Sequence, residues 1–197
     1  MTNYSNEFYM HRCLELAKQG EGYVSPNPKV GSILVCNGKI IGEGYHQRYG
    51  QAHAEVNCIL SVNKEDKKLL PESTLVVNLE PCSHTGKTPP CVDFIIQNNI
   101  PHVVIGCKDT SSKVNGKGIT ALRAAGVHVT ENILEQECLA LNKKFFISNA
   151  LHRPYIIIKW AESKDGYLGK ENERIKLSNA DTDKLVHTWR STEDAIW

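Results

Sequence analysis

The spacing of apolar positions is helical at the start of the chain. Between Asn6 and Gln19, the residues Tyr9, Cys13, Leu16 and Ala17 recur on one face and the pattern stops at Gly20, which predicts a first helix. The next stretch, GEGYVSPNPKVG, excludes regular structure through Pro26 and Pro28. Two β-rich runs follow, Val30 to Cys36 and Ile40 to Tyr45, joined by Asn37-Gly38, a pair suited to the positive φ of a tight hairpin turn. Helical and strand patterns then alternate. A helix is predicted from His53 to Leu60, a buried strand from Thr74 to Leu79, a helix from Val92 to Gln97 and another buried strand from His102 to Cys107. Ile119 to Ala125 reads as a helix closed by Gly126, Val127 to Thr130 as a short strand, and Leu134 to around Asn149 as one longer helix. This βαβα rhythm implies an α/β domain whose sheet has parallel members.

A new pattern begins at Arg153-Pro154. YIIIKWA predicts a strand, the polar ESKDGYLGKENER follows, and Leu185, Val186 and Trp189 fall at helical spacing. Only about 45 residues follow Arg153, too few to bury a core of their own. The expected organisation is one domain over residues 1–150 and, over residues 151–197, the beginning of a second that is cut short.

Composition narrows the function. With 41% hydrophobic and 23% charged residues the chain is an ordinary globular protein. Its formal net charge of +1, with no run of five or six like charges, argues against nucleic acid as a partner and points to a small substrate. No stretch approaches the roughly 18 apolar residues of a membrane span, and MTNYSNEFYM lacks a signal-peptide pattern, so the expected compartment is the cytoplasm. Seven cysteines make an odd count that does not suit a disulfide framework. Cys13, Cys36, Cys58, Cys107 and Cys138 sit among Leu, Ile and Val and read as small buried hydrophobes.

The remaining two cysteines stand in PCSHTGKTPPC, preceded in the chain by HAE at His53 to Glu55. Zinc takes thiolate and imidazole ligands tetrahedrally; three protein ligands with an open position mark a catalytic site, four a structural one. His53, Cys82 and Cys91 supply three. His53 opens one predicted helix and Cys91, directly after Pro89-Pro90, opens another; the partial positive charge of a helix start favours thiolate over thiol. Glu55 lies two residues after His53, away from direct ligation but within reach of a water on the same metal, where a carboxylate can take a proton and pass it to a leaving amine. Zinc deaminases carry HxE followed by PCxxC, whereas here eight residues separate the cysteines. That longer loop holds His84 and Lys87, both able to meet a polar or phosphorylated substrate. A solvated surface loop, or a structural zinc with its fourth ligand from His84, are the other readings these residues leave open.

Taken in order, SPNPKVG (Ser25 to Gly31), HAE, PCSHTGKTPPC and GCKDTSSKVNGKG (Gly106 to Gly118) resemble the bacterial riboflavin-biosynthesis deaminase-reductase family, and more narrowly its N-terminal pyrimidine deaminase domain. The long cysteine loop is that family's own version of the motif. The resemblance implies a three-layer α/β/α cytidine-deaminase-like fold with a mixed sheet, one zinc on His53, Cys82 and Cys91, and Glu55 as proton shuttle. The implied substrate is the phosphorylated pyrimidine 2,5-diamino-6-(5-phosphoribosylamino)pyrimidin-4-one, with Asn27 on the pyrimidine edge, His46 lining the pocket, and Lys87 and Asp109 on the ribose phosphate. Thr110-Ser111 stands where many members carry Pro-Asn. From Arg153 the chain resembles the start of the family's NADPH-dependent reductase, with Arg190 at a substrate-contact position and Lys176 where many members have tryptophan; the fragment implies no reductase activity by itself and exposed apolar surface for a partner or a second copy. A tRNA adenosine deaminase would carry the short PCxxC and a more basic face, and a non-catalytic zinc module would not need Glu55.

Overall fold

The computed structural model describes residues 4–85, 89–111, 114–173 and 175–196. The chain divides into two units, Met1–Arg153 and Pro154–Trp197. In the first, α1 (Asn6–Lys18) starts where the Ser5 hydroxyl accepts the Phe8 amide at 3.3 Å. The strands β1 (Gly31–Cys36) and β2 (Lys39–Tyr45) form the predicted hairpin, with Asn37 and Gly38 at φ of 51° and 77°. After α2 (Ala54–Ser61), a 3-10 helix that the pattern does not predict, Lys67–Glu72, leads into β3 (Thr74–Leu79). Then come α3 (Cys91–Gln97), β4 (His102–Cys107), α4 (Lys117–Ala124) and β5 (His128–Thr130).

The five strands lie in the order β2-β1-β3-β4-β5. The strand β1 runs antiparallel to both β2 and β3, while β3, β4 and β5 are parallel, so the sheet is mixed. Alternate residues of the central strands feed two cores. Leu34, Leu75, Val77, Val103 and Ile105 pack with Cys58 and Ile59 of α2, Ile95 of α3 and Leu122 of α4. Ile33, Val35, Val76 and Val104 pack with Met10 and Cys13 of α1 and with Cys138. Both faces are covered, which is why β3 and β4 read as continuous apolar runs rather than alternating ones. The five cysteines expected to be small core residues are all buried.

Two expectations are corrected. The single helix from Leu134 to Asn149 is instead α5 (Glu135–Leu141) and α6 (Lys143–Leu151), broken at Asn142, whose backbone at φ −110° and ψ 26° leaves the helical region. At this break the Asn142 side chain is bound to the Lys29 backbone. The strand expected at YIIIKWA is absent among the described residues: 154–163 have no regular structure, and Ile156, Ile157, Ile158 and Trp160 are exposed. A strand exists only as a partner in a ladder, and this unit contains no sheet among its described residues. The helix α7 (Ala180–Arg190) of this unit is held at its start by a capping box between Asn179 and Thr182.

Candidate metal centre

In an α/β sheet, sites form where parallel strands end and helices begin. Here β3 ends at Leu79 and the chain leaves the sheet through Glu80, Pro81 and Cys82. His53 is the N-cap of α2 and Cys91 the first residue of α3. The His53 ring makes no capping bond, so it is free to turn toward the cysteines. Its Nδ1 lies 3.5 Å from Cys82 Sγ and 3.3 Å from Cys91 Sγ, and the Cys91 amide donates to Cys82 Sγ at 3.4 Å. The three side-chain donor atoms all fall within 4.8 Å of one another.

These separations test whether zinc fits. With Zn–S near 2.3 Å and Zn–N near 2.0 Å, a tetrahedral centre sets sulfur and nitrogen ligands about 3.5 Å apart, the spacing seen here. One imidazole and two thiols are the donor softness zinc selects, and three protein ligands leave room for a water or substrate atom. Hydrogen bonding from Cys91, and then from His53, lowers the pKa of Cys82, while the same pairing and burial raise that of Cys91. His53 is raised, chiefly by its bond to Cys82.

Glu55 sits in the first turn of α2, only 3% exposed. Burial, and secondarily the Cys82 charge, push its carboxyl up to about 7, with Cys91 as a hydrogen-bond partner. A carboxylic acid tuned to that range and fixed beside the donor set can both accept and return a proton near neutral pH.

The structure brings Asn27 and His46 to the same place. His46 Nδ1 lies 3.1 Å from the Ala52 carbonyl, which only an N–H can satisfy, so Nε2 is the acceptor and takes the Asn27 Nδ2 donor at 3.1 Å. Burial lowers the His46 pKa, in keeping with this neutral tautomer. The His46 ring stands edge-on to His53 with centroids 5.3 Å apart. Asn57 closes the β2–α2 connection by donating to the carbonyls of Tyr45 and Ala52 at 2.8 and 3.3 Å.

Of the other expected site residues, Lys87 lies outside the described residues and His84 is exposed. Asp109 is 6% exposed, accepts the Ser111 amide at 2.7 Å, and is joined to the cysteine segment through Glu80. Arg190 is an exposed residue in the last turn of α7, in the second unit.

Glu80 is a residue the sequence reading misses. Its Oε1 accepts the amides of Gly118 and Ile119 at 2.9 and 3.3 Å, and its Oε2 those of Gly116 and Asp109 at 3.0 and 3.2 Å. It thus holds the start of α4 and the Asp109 loop against the segment carrying Cys82. The packing is close enough that Gly118 has no room for a Cβ, which would lie 2.1 Å from the Pro81 carbonyl oxygen. Asn78 and Asn142 are missed as well. The one available signal was polarity out of place: Asn78 interrupts the apolar run TLVVNL, and Glu80 follows it directly.

Comparison with known proteins agrees with this geometry. Residues 3–107 match the cytidine and deoxycytidylate deaminase zinc-binding region. The riboflavin biosynthesis protein RibD of Aquifex aeolicus (strain VF5) is 40% identical over 189 residues, 95% of this chain and 52% of that protein. The diaminohydroxyphosphoribosylamino-pyrimidine deaminase of Buchnera aphidicola subsp. Schizaphis graminum is 45% identical over 141 residues, 72% of this chain and 93% of that protein. Among solved structures, the diaminohydroxyphosphoribosylaminopyrimidine deaminase/5-amino-6-(5-phosphoribosylamino)uracil reductase of Thermotoga maritima superposes with a TM-score of 0.87 at 40% identity, over 95% of this chain and 53% of that one. The chain therefore spans about half the length of the two-activity relatives it matches, and the resemblance carried by its four motifs is borne out.

Proposed function

The chain belongs to the deaminase family defined by this zinc-binding region, and from that membership we propose that it hydrolyses 2,5-diamino-6-(5-phosphoribosylamino)pyrimidin-4-one to 5-amino-6-(5-phosphoribosylamino)uracil and ammonia, in riboflavin biosynthesis. The observation that carries the reading is Glu55, a buried carboxyl in the first turn of α2, set against the pair Cys82 and Cys91. A structural metal site has no use for it. The name of the Buchnera relative, a diaminohydroxyphosphoribosylamino-pyrimidine deaminase matched over 93% of its length, supports the choice of substrate.

His53, Cys82 and Cys91 would hold zinc, which when bound lowers the pKa of water and so supplies a nucleophile at neutral pH. Glu55 takes a proton as water adds to the ring carbon bearing the 2-amino group, and returns it to the nitrogen as the C–N bond breaks. The second proton of the water passes to the adjacent ring nitrogen, so the carbon is left as the carbonyl of the uracil and the nitrogen departs as ammonia. Asn27 spends one N–H on His46, leaving its carbonyl oxygen and second N–H for the pyrimidine edge. Neutral His46 walls the pocket. Lys87 and Asp109 take the ribose phosphate, Lys87 on the strength of its motif alone.

We assign residues 151–197 to the start of a reductase domain, in which Arg190 would meet substrate, with NADPH required only by the complete domain. The partner is then a small phosphorylated pyrimidine and not a nucleic acid, in the cytoplasm, with self-association as a further expectation. Among the described residues no helix is long and apolar enough to cross a membrane.

The test is ammonia release from the diaminopyrimidinone ribotide by the wild type and by Glu55→Gln, with bound zinc counted in both. The expected loss in kcat is about 10²- to 10⁴-fold, the usual worth of a positioned acid/base group, with zinc near one per chain in each. A zinc-loaded wild type that releases no ammonia would overturn the substrate assignment.

A further inference from the structure

Asn142 lies beyond the matched deaminase region and is 3% exposed. Its carboxamide grips both polar groups of one peptide residue across 113 positions of sequence: Oδ1 accepts the Lys29 N–H at 2.8 Å and Nδ2 donates to the Lys29 carbonyl at 2.8 Å. Asn78 reinforces the grip, donating to the same carbonyl at 3.2 Å and accepting the Gly31 amide at 2.8 Å. Next in the chain, the Val30 carbonyl accepts the His46 amide at 2.8 Å. Three consecutive residues are thus tied to the frame by their backbones.

Asn27 is separated from this clamp only by Pro28, whose ring fixes φ and leaves few ways for the chain to move. Its own amide donates to the Val24 carbonyl at 2.8 Å. The contact between Asn27 and His46 is therefore set from both sides by the backbone rather than by burial, since Asn27 is itself only half-buried. The cost of the arrangement is the interruption between α5 and α6. An apolar residue at this position would leave the Lys29 amide without this acceptor.

We propose that Asn142 is a positioning residue for the deamination site, acting through the Lys29 peptide and Pro28 to hold the Asn27 carboxamide beside His46 and the metal centre. The proposal rests on the reading that Asn27 receives the pyrimidine edge.

The test compares the 197-residue wild type with Asn142→Ala, Asn27→Ala and the double variant. Its readouts are KM and kcat for the ribotide, zinc content, amide exchange at Lys29 and the NMR signals of the Asn27 side-chain amide. For Asn142→Ala the expectation is a KM raised about tenfold, the worth of about one well-aligned hydrogen bond from Asn27 to the pyrimidine edge, with kcat within about threefold and zinc near one per chain. In the Asn27→Ala background the same change should raise KM less than about twofold, because contacts acting as a unit are not additive. Independent multiplication of the two effects would overturn the proposal, as would an unchanged KM. Should Asn142→Ala fail to fold, Asn142→Asp keeps the acceptor for the Lys29 amide and should shift KM in the same direction by less; an unchanged KM there overturns it equally. If the wild type does not turn over the ribotide, the functional reading fails by itself. The clamp is then decided by NMR: faster Lys29 exchange with shifted Asn27 amide signals in the variant sustains it, and unmoved signals sink it.

Discussion

Glu80 shows how much one side chain can organise. Four backbone N–H groups from Asp109, Gly116, Gly118 and Ile119 converge on its two oxygens in a setting that is 4% exposed. Replacing it by alanine leaves buried donors unpaired, and each stranded group costs about 1–3 kcal/mol. Partial relaxation and water entry will recover some of this, so Glu80→Ala should lose about 3 kcal/mol or more in urea denaturation, and Glu80→Gln less, because its amide oxygen still accepts. A loss below about 1 kcal/mol for Glu80→Ala would mean the four bonds are not made together. The candidate metal-holding trio His53, Cys82 and Cys91, which the structure brings together, was legible in the sequence because zinc chemistry demands particular residue types. Glu80 and Asn142 were not, because their partners are backbone groups, which every residue possesses, at separations of 29–39 and 113 positions. The Asn27–His46 contact fell between these cases: the resemblance put both residues at the substrate, while their mutual hydrogen bond needed the fold.

At the scale of elements, β3 and β4 span the residues their apolar runs predicted, since a strand buried on both faces leaves an unbroken signature. The pattern failed where a tertiary contact overrode it. Leu134 to Asn149 has a helix's composition, yet Asn142 is used for Lys29 and the helix divides. YIIIKWA has a strand's composition and no neighbour to pair with among the described residues of its unit. Between elements, Arg12 of α1 grips Glu43 of β2 through Nε and a terminal nitrogen at 2.8 and 2.9 Å. Hydrogen bonding to Arg12 holds the Glu43 carboxyl below its usual value. A carboxylate whose pKa is lower folded than unfolded adds stability at pH values above the unfolded pKa, and that stability disappears as pH falls through the lowered folded value. Both side chains are about a third exposed, so solvent screening keeps the contribution to about 0.5–1 kcal/mol. Arg12→Ala should therefore be less stable than the wild type by that amount at neutral pH, with the two denaturation curves converging in acid once Glu43 is protonated. A gap that persists unchanged below the carboxylate range would assign the effect to lost packing of the arginine stem instead.

For the whole molecule, the decisive contrast is between a first unit with two cores and a second with none. Every residue of the two hydrophobic clusters lies before Arg153, and no described residue from 154 to 196 is buried. Folding stability scales with apolar area removed from water, so almost all of it must come from the first unit, which also contains His53, Glu55, Cys82 and Cys91. The second unit exposes several large apolar side chains, among them Ile158, Trp160 and Trp189, and exposed apolar surface of this kind favours association. A chain ending at Arg153 should accordingly fold alone, bind about one zinc, and melt within a few degrees of the longer chain, while being less prone to associate. A metal that binds the folded state more tightly than the unfolded one adds stability. Chelation should lower the melting temperature of both chains by the same amount and leave the far-ultraviolet dichroism of the sheet in place below the transition. Calorimetry of both chains with and without chelator decides it. Failure of the shorter chain to fold would show that the second unit supplies core contacts, and a different zinc increment in the two would show that it reaches the metal centre.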